Sequence, residues 1–204
     1  MAQIEPNIPG SPWRVEAFID GGNLYRSVKD AYGVAGGYDL HRLVKLICRS
    51  RHGGRAMRLQ RIFYFTAQVP QSFGETYERQ RRFLEAIKRV RGVPVVVRLG
   101  HLQRDRDTGE YHEKGVDVRI GVELLGRAYE RAYDLAVLVS RDGDLAPAVD
   151  WVRQTNATRV LYASVPGEPA WALSNSCNGN IPITREMVES CLLRGDTAGE
   201  NSGR

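Results

Sequence analysis

The stretch VLVSRDGDLAPAVDWV, residues 137 to 152, sets Asp142 and Asp144 one residue apart directly behind a run of aliphatic side chains. Two carboxylates that close repel each other, so the arrangement calls for a compensating cation, a proton or a helix N-terminus. Two more aspartates stand in comparable places: Asp20 closes the segment WRVEAFID, and Asp117 opens the segment after KG. Gathered at one spot without a paired cation, such acids would cost several kcal/mol in repulsion and desolvation. A divalent metal is the simplest compensation, because carboxylate oxygens suit hard Mg²⁺ or Mn²⁺. A metal held this way acidifies a bound water and stabilises the charge on an attacked phosphate. Asn23 and Ser140 stand close by in sequence, placed to hydrogen-bond a metal-bound water or a phosphate oxygen.

Each acid also has a quieter reading. Asp20 can cap a first helix, and Asp144 a helix beginning at Leu145, ahead of Pro147. Asp117 suits a helix N-terminus through the dipole alone. Asp142 then has no capping duty, and this tips the set toward a shared role. His101 and His112 lack any ligand spacing and read as surface residues.

The elements that must position these acids follow from periodicity. WRVEAFID ends in a short strand, and GGN reads as a tight turn into a helix with Leu24, Val28 and Ala31 as its stripe. YDLHRLVKLICRS predicts a second helix broken by RHGGR, and LQRIFYFTA, residues 59 to 67, a strand. A charged helix is expected from Glu75 to Arg91, then a strand VPVVVRLG and a polar hairpin turning at DTGE. VDVRIGVELLGRAY predicts a helix in which Val118, Val122, Leu125 and Tyr129 recur at helical spacing. DLAVLVS reads as a strand covered on both faces, followed by a helix, the strand TRVLYAS, a short helix, an irregular stretch and a last helix. Strands alternating with helices predict an α/β fold: a central, mostly parallel sheet flanked by helices on both faces. Ligands in such sheets bind outside the carboxyl ends of the strands. Asp20, Asp117, Asp142 and Asp144 can thus meet on one rim.

At 204 residues the chain suits one domain with a sizeable core. We expect an irregular lead-in over residues 1–12, a single domain over 13–194 and a disordered tail over 195–204. The N-terminus has no signal-peptide pattern, and no run is apolar enough to span a membrane. Cys48, Cys177 and Cys191 show no metal or disulfide spacing and read as idle thiols in a reducing compartment, so a cytoplasmic location is expected. The net charge of +5 points to a polyanionic partner. Between His41 and Arg61 lie Arg42, Lys45, Arg49, Arg51, Arg55, Arg58 and Arg61 with no acid among them, and Arg79, Arg81, Arg82, Lys88, Arg89 and Arg91 follow. Such runs are either a solvated face or a surface that tracks nucleic-acid phosphates. On the second reading both basic segments are helical and guide a strand to the rim, with Arg42, Arg49 and Arg82 in contact. Tyr25, Tyr32 and Tyr38 are then candidates to stack on unpaired bases.

FIDGGNLY, KGVDVRIGVELL and DLAVLVSRDGDLAPAVDWV resemble the NYN domain, in particular its LabA-like bacterial branch, within the PIN-like nuclease superfamily. The match runs in order from about Val15 to Ala163 through the signatures F-[IV]-D-x-x-N, K-x-V-D and S-x-D-x-D. The resemblance implies a parallel sheet with an acidic pocket at the strand ends, Mg²⁺ or Mn²⁺ there, and RNA as substrate class. By position it implies metal-ligand and catalytic roles for Asp20, Asp117, Asp142 and Asp144. Asn23 and Ser140 match the family's polar positions, and Lys114 matches the basic residue before the second acidic motif, where it is a candidate to contact a scissile phosphate. Arg141 takes a place often held by a small residue. Pairing of two copies is also common in the superfamily, which makes a homodimer a further expectation. The function expected is therefore a metal-dependent ribonuclease.

Its main rival is a non-catalytic nucleic-acid-binding or regulatory module that keeps the fold. The DGD triplet also matches the D-x-D of some nucleotide-sugar transferases, but no nucleotide-binding half accompanies it. FIDGGN superficially matches aspartyl-phosphate phosphatases, except that Gly22 stands where their general acid belongs.

Overall fold

The computed structural model describes residues 10–49, 51–156, 158–167 and 170–193. Most of the expected lead-in and the whole of the expected 195–204 tail lie outside the described residues. The chain runs β1 (Trp13–Asp20), α1 (Gly21–Tyr32), α2 (Leu40–Ile47), β2 (Arg51–His52), β3 (Arg55–Gln68), α3 (Glu75–Arg89), β4 (Val95–Arg104) and β5 (Tyr111–Lys114). It continues through α4 (Val116–Tyr129), β6 (Leu135–Val139), α5 (Ala146–Asn156), β7 (Arg159–Ser164), α6 (Trp171–Ser176), β8 (Asn180–Pro182) and α7 (Arg185–Ser190). One sheet carries the order β5-β4-β3-β1-β6-β7-β8, with β2 paired only to β3. All neighbours are parallel except β5 on β4 and β2 on β3. This is the α/β architecture the sequence predicts. Among the described residues no helix is long and apolar enough to cross a membrane.

Alternation along β1 divides the core into two layers. Val15, Ala17 and Ile19 face α1, α2, α3 and α7, packing with Leu24, Leu43, Ile87 and Val188. Phe18 faces α4, α5 and α6 with Ile120, Leu124, Val149 and Leu173. Every residue of β6 is buried, as its unbroken aliphatic run requires of a strand covered on both sides. From β1 the chain builds β3 and β4 on one side, then returns across the sheet through α4 to build β6, β7 and β8 on the other. The reversal opens a crevice at the carboxyl ends of β1 and β6, where an open parallel sheet binds its ligand.

Four local expectations change. GGN is no turn: α1 starts at Gly21 itself, capped by Asp20. The glycines are there for space. A Cβ on Gly21 would lie 2.3 Å from the Tyr64 ring, and one on Gly22 would lie 2.8 Å from Glu113 Oε2. The basic run is helical only to Ile47; Arg51 to Arg61 form the β2–β3 hairpin and a 14-residue strand, because Gly53 and Gly54 supply two left-handed turn residues. In α4 the buried row is Val116, Ile120, Leu124 and Ala128, whereas Val118, Val122 and Tyr129 are exposed. Both rows have helical period, and the one holding Ile120 and Leu124 packs against the aromatic layer of Phe18, Phe63 and Phe65. Finally, the stretch expected to be irregular contains β8, which finds hydrogen-bond partners on the open edge of β7.

Candidate active site

Asp20 is the last residue of β1, on the same face as Phe18, and is almost wholly buried. One carboxylate oxygen accepts the Asn23 backbone N–H at 2.9 Å, which caps α1. The other accepts the Ser140 hydroxyl at 3.2 Å. Ser140 directly follows β6 and is itself buried, and its oxygen accepts the Asp142 N–H at 3.1 Å. Asp142 in turn accepts the Asp144 N–H at 2.9 Å, capping a short 3-10 turn, Gly143–Leu145. One chain of hydrogen bonds thus ties the end of β1 to the acidic loop after β6. The capping expectation is reversed here: Asp142, and not Asp144, is the cap. Asp144 is left exposed at the mouth.

Asp117 reaches the same rim from the first turn of α4, which lies on the Asp20 face of the sheet. Its entry is set by Gly115, whose φ of 75° places it in the left-handed region. Burial raises the Asp117 pKa first, and the nearby charges of Asp142, Asp20 and Asp144 raise it further. Burial likewise raises Asp20, against the lowering effect of its bonds from Asn23 and Ser140. Like charges therefore face one another across the crevice. Among the described residues none of the four forms a salt bridge.

The site also holds a carboxylate that the sequence reading passed over. Glu113, near the end of β5, hangs over Gly22 and pairs with Arg26 at 3.7 Å, and its charge helps raise Asp20. The signal was indirect: Glu113 sits just before KGVD, and only the antiparallel return of β5 on β4 folds it over the rim. Lys114 follows it, exposed, opposite His101 at the point where β4 runs past the sheet. His101 and His112 are both exposed, as expected.

The basic residues divide. Arg82 is exposed on α3, the helix that Gln80 pins to the end of β3 by bonds to Ala67 O (2.8 Å) and Val69 N (2.9 Å). Arg42 and Arg49 belong to the opposite end. Their neighbour His41 contacts Val93 O just before β4 begins, and the chain after Arg49 enters the β2–β3 hairpin. Of the tyrosines, Tyr25 is exposed, whereas Tyr32 donates to Ile183 O and burial pushes Tyr38 up to about 12. Cys48 and Cys177 are also pushed up to about 12 by burial, consistent with inert thiols.

The donor set suits a hard cation. It is all carboxylate oxygen, and Asp142 Oδ2 and both oxygens of Asp117 and Asp144 take no hydrogen bond from another described residue. Among the described residues no three such groups are already drawn close enough to enclose an ion. The rim is a fan of acids, with Asp117 and Asp144 exposed.

A family model of the NYN domain matches residues 14–184. The chain belongs to the NYN domain family. The matched span covers both β1 with Asp20 and the loop with Asp142 and Asp144, so the whole rim is NYN domain. Among solved structures, this NYN domain is similar to a protein of unknown function from Vibrio parahaemolyticus, with a TM-score of 0.60 and 19% identity. That match covers 88% of this chain and 97% of the other, and at such identity it shows a shared fold. No curated protein matches.

Proposed function

We propose that this NYN domain, of the LabA-like branch, is a divalent-metal-dependent nuclease that hydrolyses RNA phosphodiester bonds. The observation that supports the reading is the approach of Asp20, Asp117, Asp142 and Asp144 from three separate segments to one rim, none of them in a salt bridge among the described residues. Asp20, Asp142 and Asp144 would hold Mg²⁺ or Mn²⁺, with Asp117 supporting that ion or a second one. When bound, such an ion supplies acidified water and offsets charge gathering on the attacked phosphate. The chain's own residues do the rest. Ser140 holds Asp20 and the Asp142 loop in register, through its paired hydrogen bonds. Lys114 and Arg82 are exposed and would contact the phosphate backbone as it leaves the rim, and Asn23, beside Asp20, would face the phosphate in the crevice. Hydrolysis then adds water across the P–O bond, with no side-chain nucleophile required.

The test is cleavage of a mixed single-stranded and structured RNA pool with Mn²⁺, Mg²⁺ or EDTA, by wild type and Asp142→Asn. Metal-dependent cutting that disappears in the variant establishes the nuclease and its site together. Cutting that persists in the variant points to contamination and removes the assignment. RNA bound but uncut by both proteins makes the chain a binding module.

A further inference from the structure

A second concavity lies away from the acidic rim. A cavity of about 400 Å³ opens beside the start of β7, lined by Asp150, Arg153, Gln154, Thr158, Arg159 and Asn178. Arg159 pairs in register with Leu135 at the beginning of β6, four residues before Ala163 meets Val139. At the usual strand rise this places it about 13 Å below the end of β6. Site and cavity therefore sit at opposite ends of the same parallel strands.

The cavity has a donor-rich wall. Asn178 spends its carbonyl oxygen on the Val160 N–H (2.9 Å), so its amide NH₂ is the group left over. Arg153 uses one terminal nitrogen on Ser176 O and keeps its other N–H groups. Arg159 approaches His52 Nε2 at 3.4 Å and lies 5.5 Å from the centre of the Trp13 ring. Among the described residues neither guanidinium forms a salt bridge, although Asp150 stands in the same wall. Two unpaired guanidiniums sharing one cavity repel each other, and an anion with planar, multiple acceptors relieves this. On α5, Asp150 and Gln154 are one turn apart and offer acceptors. A bare phosphate would leave Asp150 opposed to it. A nucleotide brings sugar hydroxyls and base amino groups as donors for that side, and the volume suits a ligand of its size.

We propose that this cavity is a second binding site, which takes the phosphate of a nucleotide between Arg153 and Arg159 and its sugar or base against Asp150 and Gln154. The nucleotide is either free or one unit of an RNA chain that passes the far end of the sheet. The site does not depend on the nuclease reading, and it is tested without cleavage.

The experiment uses the full chain in EDTA at constant ionic strength. Melting temperature is followed against adenosine monophosphate, and fluorescence anisotropy against a twelve-nucleotide RNA. Wild type, Arg159→Gln, Arg153→Gln and Asp142→Asn are compared. A rise in melting temperature with the mononucleotide, lost in Arg159→Gln and kept in Asp142→Asn, supports a free-nucleotide site. No such rise, but RNA affinity weakened about tenfold in Arg159→Gln, supports a contact to chain phosphate, on the scale of one hydrogen bond to a charged group. Because Arg153 also anchors Ser176, the exposed Arg159 is the deciding position. If Arg159→Gln matches wild type in both titrations, the cavity is no phosphate site.

Discussion

Glu16 and Asp20 lie on the same strand, on the same face of the sheet, and both are almost wholly buried. Glu16 is met by Arg127, which bonds its two oxygens and reaches on to Glu130 at 2.7 Å. Among the described residues Asp20 is met by a backbone N–H and a serine hydroxyl, with the opposed charges of Glu113 and Arg26 beyond them and no salt bridge. Other charges along the sheet are settled in the same way as Glu16. Arg14 pairs with Asp134 at 2.7 Å, and Arg98 with Glu123 at 2.7 Å. This fold has no difficulty supplying a counter-ion to a buried carboxylate. At the carboxyl end of β1 the nearby cation, Arg26, pairs with Glu113, and among the described residues Asp20, Asp117, Asp142 and Asp144 have no salt bridge; this difference is what supports the proposed metal site.

The largest expected effect comes from removing that difference. In Asp20→Asn the amide can still cap α1 and meet Ser140, so the fold persists while a hard oxygen ligand is lost. Manganese-dependent cleavage, measured as an initial rate, is expected to fall about 100-fold or more, the upper range for disturbing a metal site. Manganese should also raise the melting temperature of wild type and not of the variant. Equal stabilisation of both proteins would place the ion elsewhere.

Ser140→Ala sharpens the contrast by loosening the acids without removing one. Asp20 and the Asp142 N–H each lose a partner, and the concentration of Mn²⁺ needed for half-maximal cleavage should rise about tenfold. An unchanged metal requirement would mean that Ser140 serves the fold alone.

The two ends can next be compared by the salt dependence of RNA binding in EDTA. Loss of a phosphate contact at the rim in Arg82→Gln should lower the slope of log affinity against log salt by about 0.7. Arg42→Gln, at the far end near α2, should leave the slope unaltered if RNA keeps to the rim, and equal losses would extend its path over both.

The smallest effect is in stability. Burial holds the Asp20 pKa above 3.8, so the folded protein keeps this proton to higher pH than the unfolded chain does. Its ionisation therefore opposes folding: the penalty is absent below 3.8 and develops as pH rises through the folded value. In EDTA, Asp20→Asn should consequently melt a few degrees above wild type at neutral pH, with the gap closing in acid. A variant that melts lower at neutral pH would show that the carboxylate is satisfied where it lies.

Period and composition alone were enough for the α/β plan, because a strand covered on both faces must be aliphatic throughout and a surface helix must repeat every three to four residues. Asp20, Asp142 and Asp144 were legible as a rim for the same reason: each stands where an apolar strand stops. Local pattern could not choose between two apolar rows of α4, since Val118 with Val122 and Ile120 with Leu124 have the same period. Nor could it place the basic run, whose arginines join the far end only because Gly53 and Gly54 reverse the chain there into β3. Glu113 and the cavity between Arg153 and Arg159 were invisible for a related reason. Each is made by residues brought side by side through strand pairing and helix packing. The sequence by itself determined which carboxylates end strands. Only the tertiary structure decided which charges are left without partners, because pairing depends on distance in space, and the order of strands in the sheet sets that distance.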